Sequence, residues 1–304
     1  MNTGMKRRGS VWRCFSPVLV YMLLQQCMSF VVLMVYYVKQ GFLEMTDLSV
    51  EEFVNHIFSA TLENLELLSF ITMAASYFIL IPVFLWMRRK DKNQDKVLGV
   101  YKETDQVPLV HYLILVMGGA ASCLAASNMI SMSGLVEASE SYAEATNVLY
   151  SAGFAAELVV LGILSPIAEE LLFRGLIYRR FKEFTAVIPA MLWASLTFAL
   201  LHGNLVQGVY AFIIGFILCY VYERYGSVKA PILMHMASNF VSVAASETGI
   251  LDFMYSSQSM FLISTFVCCV LVVAMFYLVE MYVRPITEKS APDPDGDANR
   301  NWEK

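Results

Sequence analysis

Long apolar segments alternate with short polar ones over most of the chain. A helix needs about 20 apolar residues to cross the hydrocarbon core of a bilayer, and eight segments approach or exceed this length. They cover residues 15–37, 67–87, 109–130, 150–173, 186–202, 204–222, 230–246 and 259–282. The pattern predicts an all-α, polytopic membrane protein with about eight transmembrane helices. The fifth and sixth segments are short and meet at residues 202–204.

The basic residues agree with this count of spans. Every Lys and Arg except Lys39 lies before the first segment, after the eighth, or in a linker on the same side as these two ends. Lys and Arg favour the cytoplasmic side of a membrane, so both termini are predicted to be cytoplasmic. The short linkers and the absence of organelle signals favour a bacterial plasma membrane.

Composition narrows the class of protein further. Hydrophobic types make up 58% of the chain and charged types 15%, whereas soluble domains have roughly 45–50% and about 25%. The net charge of -5 provides no basic surface for phosphates, so a nucleic-acid partner is not expected. Membrane lipids are the expected surroundings. Residues 41–66 mix acids with spaced apolar side chains, which predicts an amphipathic segment on the outer surface.

Ionisable side chains at membrane depth are the informative exceptions to the apolar pattern. The fourth segment leads into Glu169, Glu170 and Arg174, and such groups cost on the order of 2.5–3.5 kcal/mol each at the centre of a membrane helix. On a helix, Glu170 and Arg174 are four residues apart and can pair, whereas Glu169 points about 100° away. The spacing indicates one carboxylate held by a guanidinium and a second one free for chemistry. A buried ion pair that only fixes helix packing is the alternative.

Two other segments carry polar side chains that can complete a site. His202 lies at the end of the fifth segment, and His235 and Asn239 share one face of the seventh. Taken singly, each of them could be an interfacial residue or a hydrogen-bonding group between helices. Together with Glu169 they provide a base, two imidazoles and an amide donor for an oxyanion, which are the usual groups of a hydrolytic site.

Three motifs on these segments resemble a known family of enzymes. In chain order they are Glu169-Glu170-x-x-x-Arg174, Phe198-x-x-x-His202 and His235-x-x-x-Asn239. Over residues 110–250 this order is similar to the CPBP family of intramembrane proteases, also called type II CAAX endopeptidases or the Abi family. The resemblance implies an all-helical protease with several helices around a polar intramembrane cavity.

The resemblance also implies a role for each matching residue. Glu169 matches the glutamate that activates water, and His202 matches its partner. His235 and Asn239 match the pair that stabilises the oxyanion. The remaining positions are Glu170, which pairs with Arg174 in the first motif, and the supporting residue Phe198.

Metal use is left open by the residues themselves. Glu169, His202 and His235 could supply a carboxylate and two imidazoles to a divalent metal such as zinc, with Glu170 as base or supporting group. Without a metal, Glu169 must act as a buried base, which suits a carboxylate because desolvation makes it more basic. We favour the metal-free mechanism, because the amide of Asn239 is a better oxyanion donor than zinc ligand.

Helix lengths set a condition on this site. Along their helices, Glu169 and His235 lie about 15 and 9 Å from the predicted cytoplasmic ends, whereas His202 lies about 20–25 Å from its end. The fifth helix is therefore predicted to be non-ideal and to begin late, near Pro189. The turn at Gly203 is predicted to face a cavity rather than lipid.

These observations predict the organisation of the chain. Residues 1–108 form two N-terminal membrane helices with an acidic outer loop and a basic cytoplasmic loop. Residues 109–250 form the protease-like catalytic core, 251–283 the last membrane helix, and 284–304 a disordered cytoplasmic tail.

Two hypotheses follow for function. The first is an intramembrane endopeptidase that acts on a membrane-associated peptide or protein. Lipidated and bacteriocin-like peptides are the two substrate classes considered. The second is a non-catalytic scaffold or bacteriocin-immunity partner that uses the same polar cluster for packing.

Overall fold

The computed structural model describes residues 10–44, 49–98 and 107–283. The predicted tail at 284–304 lies outside the described residues. The described part is built from helices and contains no strand, so the prediction of an all-α polytopic membrane protein is confirmed. The helices are α1 (Val11–Glu44), α2 (Val50–Glu63), α3 (Leu65–Val97), α4 (Val110–Ser131), α5 (Glu140–Leu149), α6 (Phe154–Phe181), α7 (Val187–Leu200), α8 (Leu205–Tyr225), α9 (Lys229–Glu247), α10 (Ile250–Met254) and α11 (Gln258–Tyr282).

Each of the eight predicted apolar segments corresponds to one helix. Within the described residues, α1, α3, α4, α8 and α11 are long and apolar enough to cross a membrane. A sixth span arises if α5 and α6, which meet at a bend of 98°, are counted together. Helix α7 has only 14 residues, and α9 carries polar side chains. The exact number of eight crossings therefore stays a prediction.

Helix α6 is the least regular of the long helices. Two stretches of it, Val160–Leu164 and Phe173–Tyr178, are π-helical and flank the regular turns of Ser165–Leu172. In the first stretch the N–H of Ser165 donates to the carbonyl of Val160, and Pro166 has no N–H to offer. Both nearby donors are thereby withdrawn from the carbonyl of Leu161. Single π-helical turns are frequent at functional sites.

Helix α7 differs from the prediction in one respect. It begins at Val187, so the late start indicated by Pro189 is found, but it is regular from Val187 to Leu200. The irregular backbone lies in α6 instead, in the two π-helical stretches on either side of the acidic residues. Gly203 has a φ of 78° after α7 and is exposed; His202, rather than Gly203, lines the cavity described below.

Ion pairs tie α1 and α3 to the end of α6. Arg13 donates to Glu183 at 2.6 Å and to Asp91 at 3.3 Å. Arg180 donates to the other oxygen of Asp91 at 2.8 Å and to the carbonyl of Arg13 at 2.6 Å. We call these four residues the boundary cluster. They lie where the apolar helices end and the basic segments begin, an end of the bundle that we call the basic end.

Other contacts bring the remaining helix ends to the basic end. Lys182 and Tyr178 of the α6 region bind Glu223 of α8 at 2.6 and 2.8 Å. Tyr225, the last residue of α8, donates to the carbonyl of His111 at the start of α4. The opposite end is where α4 and α9 finish and where α5 and α10 lie, and we call it the acidic end.

Close packing of α4 on α9 places the third motif. A Cβ on Gly119 of α4 would lie 2.3 Å from the carbonyl oxygen of Met234, so only glycine permits this approach. Ser238 donates to the carbonyl of Gly119 at 2.8 Å. These contacts fix the rotation of α9, and they direct His235 and Asn239 toward α6.

Candidate active site

Glu170 and Arg174 form a fully buried ion pair. Nη1 of Arg174 donates to Oε1 of Glu170 at 2.7 Å, and both side chains are 0% exposed. Nη2 donates to the carbonyl of Gly215 at 2.8 Å, and the guanidinium lies 4.9 Å from the ring of Phe198. The same Oε1 accepts from Nδ1 of His235 at 2.9 Å. Glu170 therefore joins the first and third motifs.

Glu169 faces the other way, as the helical geometry predicts. Its Oε1 accepts a hydrogen bond from the hydroxyl of Ser165, which in turn accepts from the hydroxyl of Tyr77 at 2.9 Å. Its Oε2 lies 3.8 Å from Nε2 of His235, and its side chain is 21% exposed. Glu169 is therefore oriented by a relay of hydroxyls and keeps a carboxylate oxygen open.

The second motif is held by its own backbone. Nδ1 of His202 lies 2.8 Å from the carbonyl oxygen of Phe198. A carbonyl only accepts, so Nδ1 carries the proton and Nε2 is left as an acceptor. The ring of Phe198 contacts the ring of His202 edge-on at 4.6 Å and lies 6.0 Å from that of His235. Phe198 thus packs between both histidines and Arg174.

Asn239 connects the third motif to the irregular part of α6. Its amide nitrogen donates at 2.7 Å to the carbonyl of Leu161, the group left without a helical donor by the π-helical turn and Pro166. One amide hydrogen is used in this contact, and the second one remains. Asn239 can therefore hold α6 and still present a donor to a substrate.

One cavity of about 570 Å³ joins these groups. Glu169, His202, His235 and Asn239 all line it, whereas Glu170 and Arg174 lie behind its wall. A carboxylate, two imidazoles and an amide around one cavity can position water, accept a proton and bind an oxyanion. The catalytic role of each residue stays a prediction.

Ser165 and Tyr77 are the residues that sequence reasoning missed. Ser165 precedes Glu169 by four residues, the spacing that puts two side chains on one helix face, so its contact was open to prediction. Tyr77 lies on α3, outside the three motifs, and reaches the site only through packing. Gly215 likewise contributes a carbonyl that no side-chain pattern indicates.

The metal alternative was tested on the same geometry. Within the part of the chain that the structure describes, no group of three His, Cys, Asp or Glu side chains is arranged to hold a metal ion. Glu169, His202 and His235 line one cavity but do not form such a group. A preformed ligand set is therefore not present, and metal use stays a prediction.

Comparisons with known proteins agree with the motifs. Residues 151–241 match a family model described as Rce1-like, type II CAAX prenyl endopeptidase. This range contains all three motifs, so the resemblance to CPBP proteases is confirmed there. A curated protein of Bacillus subtilis (strain 168), named "Putative membrane peptidase YdiL", is 30% identical over 82 residues.

That match covers 27% of this chain and 34% of the Bacillus subtilis protein. The aligned region thus spans about a third of the length of that relative. No solved structure matches the chain. The comparisons support a membrane peptidase of the CAAX-protease type and an integral membrane protein.

Proposed function

We propose that the protein is an intramembrane endopeptidase that hydrolyses a peptide bond in a membrane-associated peptide or protein. One observation carries the proposal: Glu169, His202, His235 and Asn239, from three helices, line the same cavity. The distribution of Lys and Arg further supports a plasma-membrane protein with both termini in the cytoplasm. Lipidated and bacteriocin-like peptides are the substrate classes that the family resemblance suggests.

The arrangement supports a glutamate-dependent hydrolysis. Glu169, held by the hydroxyl of Ser165, takes a proton from water while the hydroxide oxygen bonds to the substrate carbonyl carbon. His202 binds the same water through Nε2. Asn239 stabilises the negative oxygen of the tetrahedral intermediate through its second amide hydrogen. His235, whose Nδ1 donates to Glu170, adds a donor at Nε2 when both of its ring nitrogens carry protons. When the C–N bond breaks, Glu169 returns the proton to the leaving amine.

The lining of the cavity favours cleavage within a chain over removal of a terminal residue. No Lys or Arg is among the described residues that line it, and Glu169 is the lining side chain with a formal negative charge. A terminal carboxylate would find no Lys or Arg there and would be repelled by Glu169. An internal peptide bond carries no such charge.

Replacing Glu169 tests the proposal directly. In Glu169→Gln the amide cannot accept the proton, and we expect cleavage of a pool of internally quenched peptides in proteoliposomes to fall by about 10²- to 10⁴-fold. Glu63→Gln, at an exposed position of α2, is the matched control and should keep full activity. Thermal unfolding in detergent should be the same for both variants. Unchanged turnover in Glu169→Gln would refute the role of Glu169.

Metal analysis decides between the two mechanisms. The glutamate-dependent mechanism requires that a chelator leave the cleavage rate unchanged, and that active protein hold less than one equivalent of transition metal. Loss of activity on chelation, restored by zinc alone, would establish the metal-dependent alternative.

A non-catalytic scaffold or immunity partner is the second candidate. The contact between Asn239 and Leu161, which joins α9 to α6, favours it, because this contact is structural. It predicts that His202→Ala and Asn239→Ala lower the melting temperature while no peptide in the pool is cleaved by the unsubstituted protein.

A further inference from the structure

Among the described residues, none of those that line the cavity lies at the basic end of the bundle. Its lining residues nearest to that end include Phe84, Leu172 and Ile214, which are 0%, 1% and 2% exposed. Beyond them lie the boundary cluster and the bridge from Lys182 to Glu223. In the part of the chain that the structure describes, buried apolar side chains followed by ion pairs close this end of the cavity.

The cavity does reach the acidic end. Ile130 and Ser131, in the last turn of α4, line it together with Tyr150, Ser246 and Tyr255. Ser246 and Tyr255 are exposed, Tyr255 by 42%. The mouth of the cavity therefore lies among the ends of α4 and α9 and the adjoining α10.

The depth of the cavity sets the form of an occupant. Ser246 at the mouth and His235 at the site are eleven positions apart on α9, which is about 16 Å of helix. An extended peptide advances at most about 3.3–3.6 Å per residue. A segment of about five extended residues therefore reaches from the mouth to the catalytic groups.

The charges around the mouth are of one sign. Glu137, Glu140, Glu144 and Glu247 are exposed there. Three sequences at this end, 131–153, 201–209 and 244–258, contain no Lys or Arg, and Lys39 near the end of α1 is the basic residue on this side of the bundle. A field of one sign at the mouth of a cleft raises the local concentration of oppositely charged ligands.

We propose that the substrate enters from the acidic end, opposite the basic segments, as an extended neutral or cationic peptide segment. Because Lys and Arg favour the cytoplasmic side, this entry faces the other compartment. The substrate class is then a peptide or membrane protein with a cleavable segment at the non-cytoplasmic face. The inference rests on the proposed function, but the side of entry can be measured without it.

Cysteine labelling in sealed membrane vesicles of one orientation tests the side of entry. Ser242→Cys lies inside the cavity, Glu247→Cys marks the acidic end, and Asn93→Cys marks the basic end. Labelling by a membrane-impermeant maleimide is measured above the level of the unsubstituted protein. We expect Ser242→Cys to label in the vesicles that label Glu247→Cys, and not in those that label Asn93→Cys. The proposal would be overturned if Ser242→Cys were labelled in the vesicles that label Asn93→Cys and not in those that label Glu247→Cys.

A second experiment, on double variants in detergent, tests the path into the cavity without depending on the orientation of vesicles. In detergent, adding Ser246→Trp at the mouth should slow the labelling of Ser242→Cys severalfold, whereas adding Asn93→Trp should leave it unchanged. Equal rates in both double variants would contradict entry past Ser246.

The charge preference is measured by cleavage. Internally quenched peptides flanked by Lys should be cleaved about tenfold faster at low salt than the same peptides flanked by Glu. Replacing Glu137, Glu140 and Glu144 by Gln should remove this difference, and faster cleavage of the Glu-flanked peptides would overturn the preference. Full cleavage by Glu169→Gln would instead refute the proposed function and leave the labelling result standing.

Discussion

Two clusters in this protein, the boundary cluster and the cluster around Glu170, are both built from acidic and basic side chains, but their acids differ in how they are paired. In the boundary cluster, both Arg13 and Arg180 donate to Asp91, and Arg13 is 28% exposed. In the inner cluster, formed by Glu169, Glu170, Arg174 and His235, one acid is enclosed and the other faces a cavity. The comparison indicates that an acid left over after pairing, rather than the ion pair itself, marks the site.

Loss of Arg174 should have the largest effect on stability. Arg174→Met leaves the buried Glu170 with the ring N–H of His235 as its remaining donor, and removing the charged partner of a buried pair costs about 3–5 kcal/mol. The matched variant at the boundary is Arg180→Met, which should cost about 1–3 kcal/mol because Asp91 keeps its contact with Arg13. Chemical unfolding in detergent measures both free energies.

The comparison would fail if the two arginine variants were equally destabilised. A double variant, Glu170→Gln with Arg174→Met, should be less destabilised than the sum of the single changes, because the unpaired charge is removed.

Ser165→Ala should separate orientation of Glu169 from folding. Without the hydroxyl, Glu169 loses its donor, and we expect kcat to fall about tenfold, or about 1.4 kcal/mol, with little change in KM or melting temperature. Ser165→Thr keeps a hydroxyl and should recover part of the rate. Ser76→Ala removes a buried hydroxyl that donates to the carbonyl of Met73 and serves as the control. A normal kcat in Ser165→Ala would exclude this role.

Glu183→Gln should have the smallest effect. Its pair with Arg13 is partly exposed, and such pairs contribute about 0–1 kcal/mol. The loss should shrink further at high salt because mobile ions screen exposed charges. A large loss of unfolding free energy that does not depend on salt would show that the boundary cluster stabilises the fold as strongly as the inner cluster does.

Much of this arrangement is readable from local spacing. The four-residue interval predicts the pair of Glu170 with Arg174 and turns Glu169 away, because both follow from the pitch of one helix. The contribution of Tyr77 is not readable, since it depends on how α3 packs on α6. Nor does the sequence place the irregular backbone in α6, because a π-helical turn changes hydrogen-bond register without changing the apolar pattern.

The mouth of the cavity was equally hidden in the sequence. Residues such as Ser131, Ser246 and Tyr255 are spread over separate linkers and helix ends, and only the packing of α4 against α9 brings them together. Segment lengths predict a non-ideal fifth helix and a turn at Gly203 that faces a cavity, but they carry no information about which end of that cavity is open.

The shortness of α7 has a consequence for the surrounding lipid. Fourteen residues span about 21 Å, well below the roughly 30 Å thickness of the hydrocarbon layer. Where such a helix crosses the bilayer, the acyl chains beside it must compress or splay to match its length. The headgroup region would then lie closer to His202, and water would have a shorter path through the hydrocarbon layer to the cavity.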